Sequence, residues 1–126
     1  MNDIEFKDYA PLRGGSSSSP YISIGSKGSF GFSKGFVDKF LNEKYNYVLL
    51  KYGERSSATF VGFVFSQEKK GGSLKLYKPL AGNASVSAIG FFKQFNLDAS
   101  KINKRYSDFE QLTQRDEVIF IIQLPK

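Results

Sequence analysis

From Tyr21 onward the chain alternates apolar and polar positions, the period of half-buried strands. Tyr21-Ile22-Ser23-Ile24 alternates. Phe30-Gly31-Phe32 alternates after the turn signal Lys27-Gly28. Tyr47-Val48-Leu49-Leu50-Lys51-Tyr52 reads as a strand and Gly53-Glu54-Arg55-Ser56-Ser57 as a polar turn. Thr59-Phe60-Val61-Gly62-Phe63-Val64-Phe65 follows with Val61, Phe63 and Phe65 on one face. Gly62, on the other face, marks a bend or a close backbone approach. Lys69-Lys70-Gly71-Gly72 reads as a hairpin turn, and Ser73-Leu74-Lys75-Leu76-Tyr77-Lys78 as a strand buried on one face. Val118-Ile119-Phe120-Ile121-Ile122-Gln123-Leu124 is apolar on both faces, which predicts a central strand.

Two stretches break the alternation with helical spacing. The first has Ser33 as N-cap and buries Phe36, Val37, Phe40 and Leu41. The second has Ser87 as N-cap and buries Phe91, Phe92 and Phe95. The predicted class is mainly β (α+β): a compact, barrel-like or interlocked β-sheet domain with two short helices. It spans residues 21–126. Residues 1–20, with Arg13-Gly14-Gly15 and the Ser16–Ser19 run before Pro20, read as a flexible arm.

The helices share a string. Gly35-Phe36-Val37-Asp38-Lys39-Phe40 lies over Gly90-Phe91-Phe92-Lys93-Gln94-Phe95. Around each, the order is strand, cap, helix, strand, polar turn, strand. In the first copy the strands are Ser29–Phe32, Tyr45–Tyr52 and Thr59–Phe65; in the second they are Ser85–Ser87, Arg105–Phe109 and Glu117–Leu124. The halves would be 21–68 and 73–126. Two explanations stand for the match: duplication, or coincidence in a Phe-rich chain. A unit of about 45 residues cannot close its own core, so duplicated halves would interlock, as a pseudo-two-fold monomer or across a homodimer.

Composition narrows function more than fold. The 126 residues include 13 Phe and 7 Tyr but no Trp, Cys or His. Without Cys there is no disulfide framework, thiolate nucleophile or Cys-ligated metal. Without His, the commonest metal ligand and general base are missing, and Ser–His or Cys–His catalysis is excluded. The carboxylates are few; Asp108, Glu110, Asp116 and Glu117 are clustered in sequence, and such groups near turns are usually solvated. The expectation is a non-enzymatic protein with no cofactor and no metal. The acidic, non-apolar N-terminus is unlike a signal peptide and no run is long enough to span a membrane, so the expected setting is cytoplasmic.

The formal net charge is +6, unevenly spread. Residues 21–105 hold 14 Lys+Arg and 5 acids, a net of +9, flanked by segments of −1 and −2. Two clusters stand out. Lys69, Lys70, Lys75 and Lys78 surround Tyr77, and Lys75 and Tyr77 share a polar strand face suited to phosphate contact and base stacking. Lys101, Lys104 and Arg105 follow the second helix; with Lys27 and Lys34 they would occupy matching places in the two halves and could straddle a duplex. The plainer accounts are a solvated hairpin whose lysines discourage edge pairing and a polar connection neutralised by Asp98. Nucleic acid is the leading partner. The alternatives are an acidic protein partner, in a phage- or mobile-element-encoded modulator of a host protein, and self-assembly.

The segment from Ser26-Lys27-Gly28-Ser29-Phe30-Gly31-Phe32-Ser33-Lys34-Gly35 to Leu41 resembles the opening of the AbrB/SpoVT-type swapped-hairpin DNA-binding domain. Gly82-Asn83-Ala84-Ser85-Val86-Ser87 is similar. The resemblance covers about two-thirds of the chain at the level of pattern. It implies an interlocked β-barrel that binds DNA as a two-fold unit, often as a transcription regulator or antitoxin. The chain departs from that family in placing Ser33 and Ala88 where a Pro usually opens the helix. The family usually carries a basic residue within the helix, often Arg, for which only Lys39 and Lys93 could serve here, and Tyr45-Asn46 and Asn103-Lys104 stand where a Gly-Asp turn commonly follows the helix.

Overall fold

The computed structural model describes residues 19–41, 44–79 and 82–125. Most of the predicted arm, residues 1–18, lies outside this description. Two antiparallel sheets face each other. The four-stranded sheet has the order β6-β2-β1-β7, built from β1 (Ile22–Gly25), β2 (Ser29–Phe32), β6 (Ala84–Ser87) and β7 (Arg105–Tyr106). The five-stranded sheet has the order β5-β3-β4-β9-β8, built from β3 (Tyr47–Arg55), β4 (Ala58–Ser66), β5 (Leu74–Lys75), β8 (Glu110–Gln114) and β9 (Glu117–Gln123). The mainly β, α+β class is as the alternation predicts. The sheets do not close into a barrel. A cleft of about 220 Å³ lined by Phe60, Tyr106, Phe109 and Ile122 marks the open seam where the chain passes from β7 to β8.

Phenylalanine is the commonest residue of the core between the sheets. Phe30 and Phe32 project from β2 and meet Phe63 of β4 edge-on, with ring centroids 4.9 and 5.5 Å away. One helix plugs each end of this layer. α1 (Lys34–Phe36) runs into a π-helical turn, Val37–Leu41. It brings Phe36 and Phe40 to 5.1 and 4.9 Å from Phe120. α2 (Ile89–Gln94) sets Phe92 5.1 Å from Phe30 and leaves Phe95 stacked on Tyr52 at 4.3 Å. Such pairs add about 0.5–1.5 kcal/mol each beyond the area they bury. Gly62 allows a close approach, because a Cβ there would sit 3.0 Å from Ile119 Cγ2 on the neighbouring strand.

The caps separate the two helices. Ser33 accepts from the Phe36 amide at 3.2 Å, as its position predicts. Ser87 does not cap. It is the last residue of β6, paired with Ser29, and α2 begins after Ala88 with no side-chain cap. Of the three phenylalanines expected to be buried by α2, only Phe92 is fully so; Phe91 and Phe95 are half-buried. A third helix, α3 (Ala99–Ile102), is capped by Asp98, whose carboxylate accepts from the Ser100 amide and hydroxyl.

The halves interleave in both sheets. β2 pairs antiparallel with β6, and β4 with β9. The β3–β4 and β8–β9 hairpins flank the second pair. The strand that forms a hairpin with β9 is β8. It is not Arg105–Phe109: Arg105 and Tyr106 instead form β7 beside β1. The expected hairpin at Lys69–Gly72 is also different in kind. β4 and β5 are not neighbours, and the turn carries the chain to the far edge of β3. Gly72 has φ +84° at the third position of the Lys70–Ser73 turn, a conformation that favours glycine. The chain then serves both sheets in four residues. Leu74 and Lys75 pair with β3, the Leu76 amide donates to Asn46 O at 2.8 Å, and Tyr77 exchanges two hydrogen bonds with Ser85 of β6.

Candidate nucleic-acid interface

The segment from Lys69 to Lys78 forms one exposed edge. Its start is fixed by Ser73, whose hydroxyl accepts from the Lys70 amide at 3.0 Å and donates to Lys70 O at 2.7 Å. That buried hydroxyl leaves Lys69 and Lys70 projecting into solvent. Alternation then turns Leu76 into the core and Lys75 and Tyr77 outward. Tyr77 is 68% exposed, the most of any large hydrophobic residue described. Among the described residues its ring has no aromatic or cationic partner. A ring normally covered is thus held open by a backbone pinned on both sides. Lys78 is held in place, donating to Tyr45 O at 3.1 Å and to Asn46 Oδ1 at 2.7 Å. Four cations and one open ring therefore share a ten-residue edge.

The second predicted cluster lies at the other edge of the four-stranded sheet. Lys101 lies in the last turn of α3, Lys104 precedes β7 and Arg105 begins it; the Ile24 amide of β1 donates to Lys104 O at 3.0 Å. Three strands separate Tyr77 from β7, about 19 Å at the usual strand spacing. These cations already have company. Arg105 lies over the Tyr21 ring at 4.7 Å and Lys104 over the Tyr106 ring at 4.9 Å. Lys101 is near Asp98, whose carboxyl the Ser100 donors hold below its ordinary range, with Lys101 adding to the effect.

Lys27 and Lys34 do not join one surface. Lys27 sits on the β1–β2 turn, beside a shallow hollow that also takes Lys93, Asn96 and Asp98. Lys34 is paired with Asp38 at 2.9 Å, and its stem lies against Gly82. The ten predicted residues thus divide. Lys69, Lys70, Lys75, Tyr77 and Lys78 follow one another along a single segment, with Lys70 beside a hollow that also takes Asp116 and Glu117; Lys101, Lys104 and Arg105 lie at the opposite edge; Lys27 and Lys34 stand apart. The sequence contains no signal for Asn46, which anchors both Leu76 and Lys78. Tyr21, which stacks under Arg105, is an aromatic at the start of an alternating run.

Other chemistry is sparse. Tyr106, opposite Ile22 on β1, is buried, 3% exposed, and donates to Ile102 O at 2.6 Å. Burial pushes its hydroxyl pKa up to about 12. Glu117 faces Lys51 at 3.8 Å. No group of three acidic side chains converges as a cation site among the described residues, and no described helix is long and apolar enough to cross a membrane. No known family pattern, characterised protein or solved structure matches the chain.

Proposed function

We propose that the chain is a small, non-catalytic nucleic-acid-binding protein that takes a backbone along the Lys69–Lys78 edge. The observation that carries the reading is Tyr77: an open aromatic ring between Lys75 and Lys78, on a backbone tied to both sheets. Lysines neutralise phosphates as point charges, and an exposed ring stacks on any base. The edge offers no Arg or Gln aligned to read base edges, so the binding is sequence-tolerant. The strand–helix–hairpin order that resembles the AbrB/SpoVT pattern is consistent with a DNA partner. The open ring favours single strands.

Fluorescence anisotropy with labelled single-stranded and duplex oligonucleotides tests this. Four phosphate contacts to a single strand give a log–log salt slope of about −3, or about a 50-fold weakening between 50 and 200 mM salt. Tyr77→Ala is expected to weaken single-strand binding by about 5- to 150-fold, the range of one lost stacking contact. Lys101→Gln with Lys104→Gln, on the opposite edge, should leave it nearly unchanged. Absence of binding at low salt, or equal losses from both edges, would overturn the proposal.

A further inference from the structure

The two sheets have three described outer edges besides Tyr77, and two are guarded. β5 and β7 are two residues long and carry Lys75 and Arg105. Short length and basic side chains are the usual protection against edge-to-edge pairing. β8 has neither. It runs for five residues, Glu110-Gln111-Leu112-Thr113-Gln114, all exposed, with no Lys, Arg, Pro or Gly. At its centre Leu112 is 41% exposed, and Val118 on the adjoining β9 is 39% exposed.

The hairpin fixes which backbone groups of β8 point outward. Arg115 and Asp116 form a two-residue connection with φ of 51° and 66°, the type I′ turn. Gln114 and Glu117 flank it as a hydrogen-bonded pair, so Leu112 with Ile119 and Glu110 with Ile121 are bonded pairs too. The N–H and C=O groups of Gln111 and Thr113 therefore face away from β9. Among the described residues no backbone partner meets them.

We propose that this edge pairs antiparallel with β8 of a second copy of the chain, with Leu112 on the two-fold axis. In that register Gln111 faces the partner's Thr113 and Thr113 the partner's Gln111, giving four backbone hydrogen bonds from the four outward groups on each side. The two Leu112 side chains meet at a non-hydrogen-bonded position, where side chains lie closest. Each Glu110 faces a Gln114, an uncharged acceptor and donor, so no like charges oppose. The two Glu110 carboxylates stay about 14 Å apart along the strands. Slipping the register by one residue would set outward groups opposite inward ones, and moving the axis to Gln111 or Thr113 would leave two bonds within β8 in place of four. A strand that complements itself in charge, packing and hydrogen bonding is matched by its own copy. The result is a continuous ten-stranded sheet with the basic β5 edges at its two ends.

One short strand pair buries little area, so the association is weak and concentration-dependent. Light scattering from about 1 µM to about 1 mM should show the mass rising toward twice that of one chain. Leu112→Lys, which sets two cations together on the axis, and Thr113→Pro, which removes an outward N–H that β9 does not use, should both hold the mass at one chain. Amide exchange on the unaltered protein reads the register directly. Gln111 and Thr113 should gain protection as concentration rises, while Leu112, bonded to Ile119, is protected throughout. If a variant loses its strand spectrum, the exchange result alone decides. A single-chain mass up to 1 mM, association unaffected by Leu112→Lys, or new protection at Lys75 or Arg105 instead would overturn the proposal.

Discussion

Ser33→Ala removes one oxygen that performs three tasks. The hydroxyl accepts from the Phe36 amide at 3.2 Å, capping α1, and from the Tyr21 amide at 2.9 Å, tying the start of β1 to the same point; it also donates to Ser19 O at 3.3 Å. The site is only 6% exposed, so water does not readily replace the lost partner. Loss of a cap costs about 1 kcal/mol. An orphaned, partly buried amide adds about 1–2 kcal/mol. The expected loss is thus about 2–3 kcal/mol, close to 10 °C in Tm for a domain near 100 residues. Urea unfolding followed by circular dichroism measures it, with an unchanged m-value showing that the unfolding transition is the same. Ser33→Thr keeps the oxygen and should recover most of the loss. Ser87→Ala, at the matching place in the second half, should stay within about 0.5 kcal/mol, because Ser87 is exposed and caps nothing. A Ser33→Ala cost below about 0.5 kcal/mol, or one equal to that of Ser87→Ala, would refute the reasoning.

Two further outcomes follow from backbone and burial. Ser56 and Ser57 connect β3 to β4 with φ of 50° and 73°. Replacing them with Asn-Gly, which adopt those angles readily, should raise thermal stability by about 1 kcal/mol; a drop in Tm would count against the turn assignment. The Tyr106 hydroxyl, with its pKa raised to about 12, should ionise last in a spectrophotometric titration of the tyrosines. Its neutral form is the one that folding favours. The associated stability is complete below pH 10, its unfolded pKa, and is lost as pH rises from 10 to 12. Tyr106→Phe should flatten stability across that window while costing about 1 kcal/mol at neutral pH for the bond to Ile102. An unchanged slope would show that another group is responsible.

What was legible in the sequence was whatever carries a local period. β3, β4 and β9 are runs of seven residues or more rich in β-branched and aromatic side chains, and Phe36, Val37, Phe40 and Leu41 fall at helical spacing, so these elements and the Phe-rich core could be read directly. β8 could not. Glu110–Gln114 buries nothing, so it has no hydrophobic pattern; it is a strand because Arg115 and Asp116 fold it back onto β9. Ser87 resembled a cap because the residue type fits, but its backbone is committed to the ladder with Ser29. The Lys75 and Tyr77 face was visible as an alternation. That Leu74–Tyr77 spans two sheets was not, because its partners, Val48 and Ser85, lie 26 residues before Leu74 and 8 after Tyr77, and no local rule selects them. The charge followed the same division. A net of +9 over 21–105 could be counted, whereas its separation onto opposite edges depended on strand order.

The interleaving of the halves has a consequence during synthesis. Gly62 and its partner Ile121 lie 59 positions apart, yet β4 is completed only by β9, and the four-stranded sheet needs β6 and β7 as well. When the first half leaves the ribosome, β4 presents Thr59-Phe60-Val61-Gly62-Phe63-Val64-Phe65, uncharged and strongly β-forming, with one backbone edge bare. Such a segment is an aggregation hazard until it is covered. That edge stays bare until β9 has been made. Nothing short of nearly the whole sequence can bury this core.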